Sequence, residues 1–248
     1  MRRLLHALPA LLLTAALPSS GWADMTAEDR EEFREEVRAY LLENPEILTE
    51  MVSILETRQA DAAETLDGDR IAAQASALFE DGFSFIGGAP EGDVTVVEFL
   101  DYQCGYCRKA HPEFTELLES DGNIRWIVKE LPILGPGSVL AARAAIATLI
   151  GQGPEAYARL NDTLLRGEGP INDASLDAAL REAGLDPAAV RAGMEDPEVT
   201  RRLEATRALA AELEIQGTPA FVFGDRMLRG FAPVAAMEAL VAEARAGE

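Results

Sequence analysis

One short window of this chain is apolar almost without interruption, and longer ones repeat with helical spacing. "VTVVEFL" (94–100) is β-branched and aromatic, broken by a single acid, Glu98. Its length and composition predict a buried strand of the kind found in parallel sheets. In "RKAHPEFTELLE" (108–119) the residues Ala110, Phe114, Leu117 and Leu118 share one face, which predicts a helix directly after that strand. A second strand is expected at "AFVFG", after Thr218-Pro219. Between these halves, residues 130–213 read as several alanine-rich helices cut by Pro and Gly, with starts at Asn172 and at Asp186-Pro187.

The pattern before residue 88 is different. Thr26-x-x-Asp29 can cap a helix on which Phe33, Val37, Tyr40 and Leu41 form one apolar stripe. Asn44-Pro45 restarts the chain, and Ile47, Leu48, Met51, Ile54 and Leu55 form a second stripe. A more polar helix continues beyond them. Such stripes must bury against something: either the molecule's own domain, or another copy of the chain through residues 26–80.

The first residues carry an address. Arg2 and Arg3 precede an apolar run from Leu4 to Leu17, and Gly21-Trp22-Ala23 offers a small-residue cleavage site. That three-part pattern predicts a cleaved signal peptide over 1–23 and an exported, periplasmic protein. The run is shorter than the roughly 20 residues of a spanning helix, and His6 and Pro9 interrupt it.

Charge then narrows the partners. Twenty-two Lys+Arg against 43 Asp+Glu give a net charge of −21. Such a surface repels phosphate backbones, so nucleic acid is excluded as a partner.

The chemistry lies in "FLDYQCGYCRKAHPEF" (99–114), which holds both cysteines of the chain, Cys104 and Cys107. A structural staple at this spacing stabilises little, about 2 kcal/mol or less for so small a ring. A structural zinc site wants four N or S ligands, and His111 alone is left to join the pair in an exported chain. Redox chemistry remains. Cys104 falls where the strand hands over to the helix, and the open N–H groups of a helix start stabilise a thiolate. Cys104 is therefore the expected nucleophile, and Cys107, one turn in, the resolving thiol. Glu98 has two readings: an acid at a solvated strand end, or a buried carboxylate that takes a proton from Cys107.

A strand, Glu98, Cys104-Gly105-Tyr106-Cys107 and a helix containing Pro112 together resemble the thioredoxin-fold oxidoreductases. "EIQGTPAFVFGDRMLRG" (214–230) resembles that family's cis-proline loop, which implies that Thr218 and Pro219 face the cysteines and present backbone to a substrate chain. The helical insert and "KELPILGPGS" (129–138) are similar to the DsbA family, and the arm with "ENPEIL" to its exported ScsC-type members. Pro112 is expected to kink its helix.

The resemblance implies an α/β fold: a DsbA-like thioredoxin domain over 88–248, a helical insertion at about 137–213, and an N-terminal helical arm over 24–87. It implies no cofactor. Partners would be unfolded or misfolded exported proteins and a membrane redox partner that resets the cysteines. Gly105-Tyr106 with Thr218-Pro219 resembles the pairing in exported isomerases, so disulfide isomerase or reductase is the expected activity. A DsbA-like oxidase is the alternative, and a Cu(I)-binding protein using both thiolates is the reading from a different class.

Overall fold

The computed structural model describes residues 25–247; the expected signal peptide, 1–23, lies outside them. The chain divides into two compact units, residues up to Thr57 and Arg58 onward.

In the first unit, helix α1 (Ala27–Glu43) opens on Thr26, whose side chain accepts from the Asp29 N–H while Asp29 accepts from the Thr26 N–H. This reciprocal cap uses two of the donors that a helix start leaves open. α1 ends at Asn44, because the following Pro45 disfavours helical geometry in the residue before it. Helix α2 (Glu46–Ala73) then starts and runs on into the second unit. The stripes stay uncovered: Phe33, Val37, Tyr40, Leu48 and Met51 are all exposed.

The second unit continues with α3 (Ala75–Phe79), β1 (Phe85–Gly88), β2 (Val94–Leu100), α4 (Gly105–Asp121) and β3 (Ile124–Glu130). Five helices follow: α5 (Pro136–Gln152), α6 (Pro154–Arg166), α7 (Asp173–Glu182), α8 (Pro187–Gly193) and α9 (Pro197–Glu212). Strands β4 (Ala220–Phe223) and β5 (Arg226–Arg229) and helix α10 (Val234–Ala246) complete it. Asn172 and Asp186 cap α7 and α8 as their positions predicted.

The strands form one sheet in the order β1-β3-β2-β4-β5. It is mixed, not parallel as the β2 pattern suggested. β2 pairs parallel with β3 alone, and β1–β3, β2–β4 and β4–β5 are antiparallel. Topology explains the difference. α4 is a crossover helix, which returns the chain parallel, whereas the β4–β5 turn of Gly224-Asp225 permits only a hairpin. Gly224 has φ 59°, which its missing side chain allows.

β2 is apolar almost throughout because both of its faces are covered. Val94, Val96 and Leu100 pack with α4 and the helical insert. Val97 and Phe99 pack on the other side with Ile71, Leu78, Leu209 and Leu213. Ile71 and Leu78 therefore tie the end of α2 and α3 to the sheet, and Phe85 stacks on Tyr157. This is why the compact unit begins near Arg58, well before the sequence-based boundary at 87/88. α4 passes through Pro112 without an assigned break and stops at Gly122, which has φ 71°. Among the described residues, no helix is long and apolar enough to cross a membrane.

Candidate active site

The end of β2 builds the site. Leu100 is the last strand residue, and the carboxylate of Asp101 gathers the backbone that follows. It accepts from the N–H of Gln103 at 2.8 Å, of Ile133 at 2.8 Å and of Leu134 at 3.0 Å. One buried acid thus fixes both the turn into α4 and the loop after β3. Cys104 is the N-cap of α4, as the sequence implied.

The Cys104 sulfur accepts from the Cys107 N–H at 3.4 Å and lies 3.1 Å from the Thr218 carbonyl oxygen. The neighbouring Cys107 thiol, then Thr218 and the N–H groups of Cys107 and Tyr106, bring its pKa down to about 5 against the cost of burial. Cys104 is more covered than an open helix start suggests, at 6 % exposure. The exposed residues of the motif are Gly105 and Tyr106. Cys107 is fully buried. Burial first, then the Cys104 sulfur and the Glu98 charge, push its thiol far up. The two cysteines are thus set apart electrostatically.

Glu98 is 2 % exposed, on the sheet face that carries Val96 and Leu100. Its Oε2 accepts from the Trp126 indole N–H at 3.0 Å. Burial raises its pKa to about 8, only partly offset by that hydrogen bond. The solvated-strand-end reading of Glu98 is therefore set aside.

The Thr218–Pro219 bond is cis, and Pro219 is buried. Beside it opens a cleft of about 650 Å³ that Thr218, Pro219, Asp67, Arg70, Glu214 and Arg229 help to line. Arg229 holds Asp67 through both terminal nitrogens, at 2.5 and 2.8 Å. Of the residues that the sequence and its resemblance singled out, the Cys104 sulfur meets Thr218, the residue before Pro219, and Glu98 lies close enough to act on the Cys107 thiol. His111 is turned away from the sulfurs, with Nε2 3.0 Å from Asp162 on α6. Asp101, Trp126, Glu130 and the Asp67–Arg229 pair were not legible as site residues. One signal did exist: Glu130 ends the apolar "IRWIVKE" strand much as Glu98 interrupts its own. Among the described residues, no group of three or more His, Cys, Asp or Glu is placed to hold a metal ion.

Residues 95–242 match the model of the DSBA-like thioredoxin domain. The chain belongs to the DsbA-like thioredoxin family. Its domain is of the DsbA/ScsC thiol–disulfide oxidoreductase type. Residues 29–62 of this DsbA-like chain match a second model, the N-terminal domain of the copper resistance protein ScsC. A thioredoxin-like oxidoreductase from Silicibacter pomeroyi is 42 % identical, with a TM-score of 0.66 over 68 % of this chain and 96 % of that one. A linker-deletion mutant of ScsC from Proteus mirabilis is 28 % identical, with a TM-score of 0.70 over 92 % of this chain and 100 % of that one. Among curated proteins, the Na(+)/H(+) antiporter NhaA 1 of Salinispora arenicola is 33 % identical over 162 residues. That match takes in 64 % of this DsbA-like chain and spans only 24 % of the antiporter's length.

Proposed function

We propose that this protein is an exported thiol–disulfide oxidoreductase of other proteins, working through Cys104 and Cys107 as disulfide isomerase or reductase. The observation that carries the exchange chemistry is the electrostatic split of the pair, a Cys104 pKa brought down to about 5 beside a buried thiol pushed far up, while the lean to isomerase rests on the combination of Gly105-Tyr106 with Thr218-Pro219 and on the exposed arm. At neutral pH the first is a thiolate and the second a protonated thiol.

The chemistry follows from the positions. The Cys104 thiolate attacks one sulfur of a substrate disulfide, forming a mixed disulfide and releasing the other substrate sulfur as a thiolate. The substrate backbone beside that sulfur pairs with Thr218, before Pro219, and Gly105 and Tyr106 form the exposed lip against it. In the isomerase direction, the freed thiolate attacks a different substrate disulfide, and the thiolate released there attacks the substrate sulfur of the mixed disulfide, forming a new substrate disulfide and expelling the Cys104 thiolate. In the reductase direction, Cys107 gives its proton to Glu98 and attacks the Cys104 sulfur. The second substrate thiolate leaves, and Cys104–Cys107 becomes the disulfide. A membrane redox partner then restores the pair. No resident cofactor enters either sequence.

The similarity of residues 29–62 to the ScsC N-terminal domain, together with their exposed apolar stripes, supports an arm that joins copies of the chain. A low Cys104 pKa favours the second reading, a DsbA-like oxidase, because it stabilises the reduced form and makes the disulfide a stronger oxidant. Recovery of activity by a scrambled-disulfide substrate, beside oxidation of a reduced one, separates the two. Isomerase predicts the first reaction to be the faster. Tight Cu(I) binding by reduced protein that is inactive in both assays would replace the reading with a copper-binding one.

A further inference from the structure

A second buried acid stands close to Glu98. In the register of the two parallel strands, Glu98 lies opposite Val128 and Leu100 opposite Glu130. Side chains two residues apart on a strand share a face, so Glu98 and Glu130 occupy the same face. They are one diagonal step apart, with roughly 8 Å between their backbones. The rest of that face is apolar: Val96, Leu100, Trp126 and Val128. Lys129, the nearest cation in sequence, projects from the opposite face and is held by Asp81 at 2.6 Å.

Glu130 is built into a polar knot. Its Oε1 accepts from the Tyr102 hydroxyl at 2.8 Å and from the Tyr157 hydroxyl at 2.5 Å. Asn161 donates to the Tyr102 oxygen at 3.1 Å. Its Oε2 is buried without a partner. Asp101, the residue after β2, adds a like charge that, behind burial, pushes the Glu130 pKa up. From α9, Arg202 lines the same small cavity, of about 20 Å³, together with Ser84. Arg202 is engaged elsewhere, by Glu198 and by the Phe83 carbonyl. Among the described residues, no cation is bonded to either Glu98 or Glu130. Two like charges this close in a low-dielectric layer oppose each other's ionisation, and their titrations are coupled.

We propose that Glu130 is a positioning residue for the thiol chemistry: it shares one proton with Glu98 and so sets whether Glu98 is free to take a proton from Cys107. The assignment rests on the proposed exchange reaction. The two hydroxyl donors favour the charged form of Glu130, while Glu98 has a single indole donor. Burial nevertheless raises both acids to about 8, so both hold protons near neutral pH; as the pH rises the acid that ionises first keeps the remaining proton on the other, and Glu98 becomes a base only in that range.

Trp126 reports the Glu98 charge directly. The test is a fluorescence titration of the full reduced chain in a Trp22→Phe background, where Trp126 is the remaining tryptophan. The parent is expected to show a transition near pH 8. Glu130→Gln removes the opposing charge and should move it towards acid by about one pH unit. Tyr157→Phe and Tyr102→Phe weaken the charged form of Glu130 and should move it the same way by less. Resolution of the Cys104 mixed disulfide should shift its pH midpoint in parallel. An absent transition in the parent, or an unmoved midpoint in folded Glu130→Gln, overturns the proposal. If that variant does not fold, unmoved midpoints in both tyrosine variants overturn it. A spectroscopic shift without the kinetic one also overturns the positioning role. The titration uses no substrate, so loss of exchange activity in the parent would fell the oxidoreductase reading separately.

Discussion

The sulfur of Cys104 lies 3.1 Å from the carbonyl oxygen of Thr218, although 114 residues separate them in the chain. The N-cap of α4 and the residue before Pro219 therefore form one surface. In the proposed exchange, a substrate that pairs with the Thr218 backbone is brought to Cys104 by the same contact.

Reactivity should be strongly asymmetric. Thiolate absorbance in the reduced protein should titrate with a midpoint near 5, the value Cys104 is brought down to. Alkylation at neutral pH should label Cys104 first, since Cys107 has no exposed surface. Cys107→Ser should trap substrate as a mixed disulfide, and Cys104→Ser should not. Equal trapping by both variants would reverse the assigned roles.

Glu98→Gln should slow resolution of the mixed disulfide by about a hundredfold, the usual cost of losing one general base. It should also make the protein more stable at neutral pH. Glu98 is raised from 4.5 to about 8 by burial. Between those values the folded chain holds a proton that the unfolded chain has released, so stability falls as pH rises through the window. Removing the acid removes that loss, worth about 3 kcal/mol at pH 7. The two proteins should denature alike near pH 4, where both states carry the proton. Denaturant titrations at the two pH values check this.

Asp101→Ala should be among the costliest single changes. It strands the N–H groups of Gln103, Ile133 and Leu134 that converge on this buried carboxylate. A loss of about 2–4 kcal/mol is expected from the unpaired donors. Asp101→Asn keeps one accepting oxygen and should recover part of it. Equal midpoints for wild type and Asp101→Ala would mean that the loops are held in some other way.

Two truncations should behave differently. A chain beginning at Arg58 keeps Ile71, Leu78 and β1, so it should fold, stay monomeric and retain reductase activity. It should lose most isomerase activity, because an assembly tethers several Cys104 thiolates around one substrate and raises their effective concentration. A chain beginning at Gly88 also loses Phe85 from its stack on Tyr157. Burying so large a side chain is worth about 3–5 kcal/mol, and this chain should be unstable. Light scattering and thermal melts decide both. A monomeric full-length protein would remove the arm's proposed role.

Local chemistry made the sequence eloquent in places. β-branched residues around one acid specified β2, and Thr26, Asn172 and Asp186 marked helix starts with their own side chains. The strand and helix patterns around Cys-x-x-Cys put Cys104 at a helix N-terminus, because the cap position and the stabilisation of a thiolate there are both local properties. Tertiary structure decided what depends on partners distant in sequence. Whether Glu98 is solvated or buried turned on Trp126 and the layer around it. The sheet became mixed because crossover and hairpin connections, not strand composition, set strand direction. Asp67 reads as one acid among many on a polar helix until Arg229 closes on it, 162 residues away. The significance of Glu130 appears only when the β2–β3 register sets it diagonally from Glu98. A chain encodes where its backbone turns through neighbouring residues, but the charge state of a buried acid depends on groups that folding alone brings close.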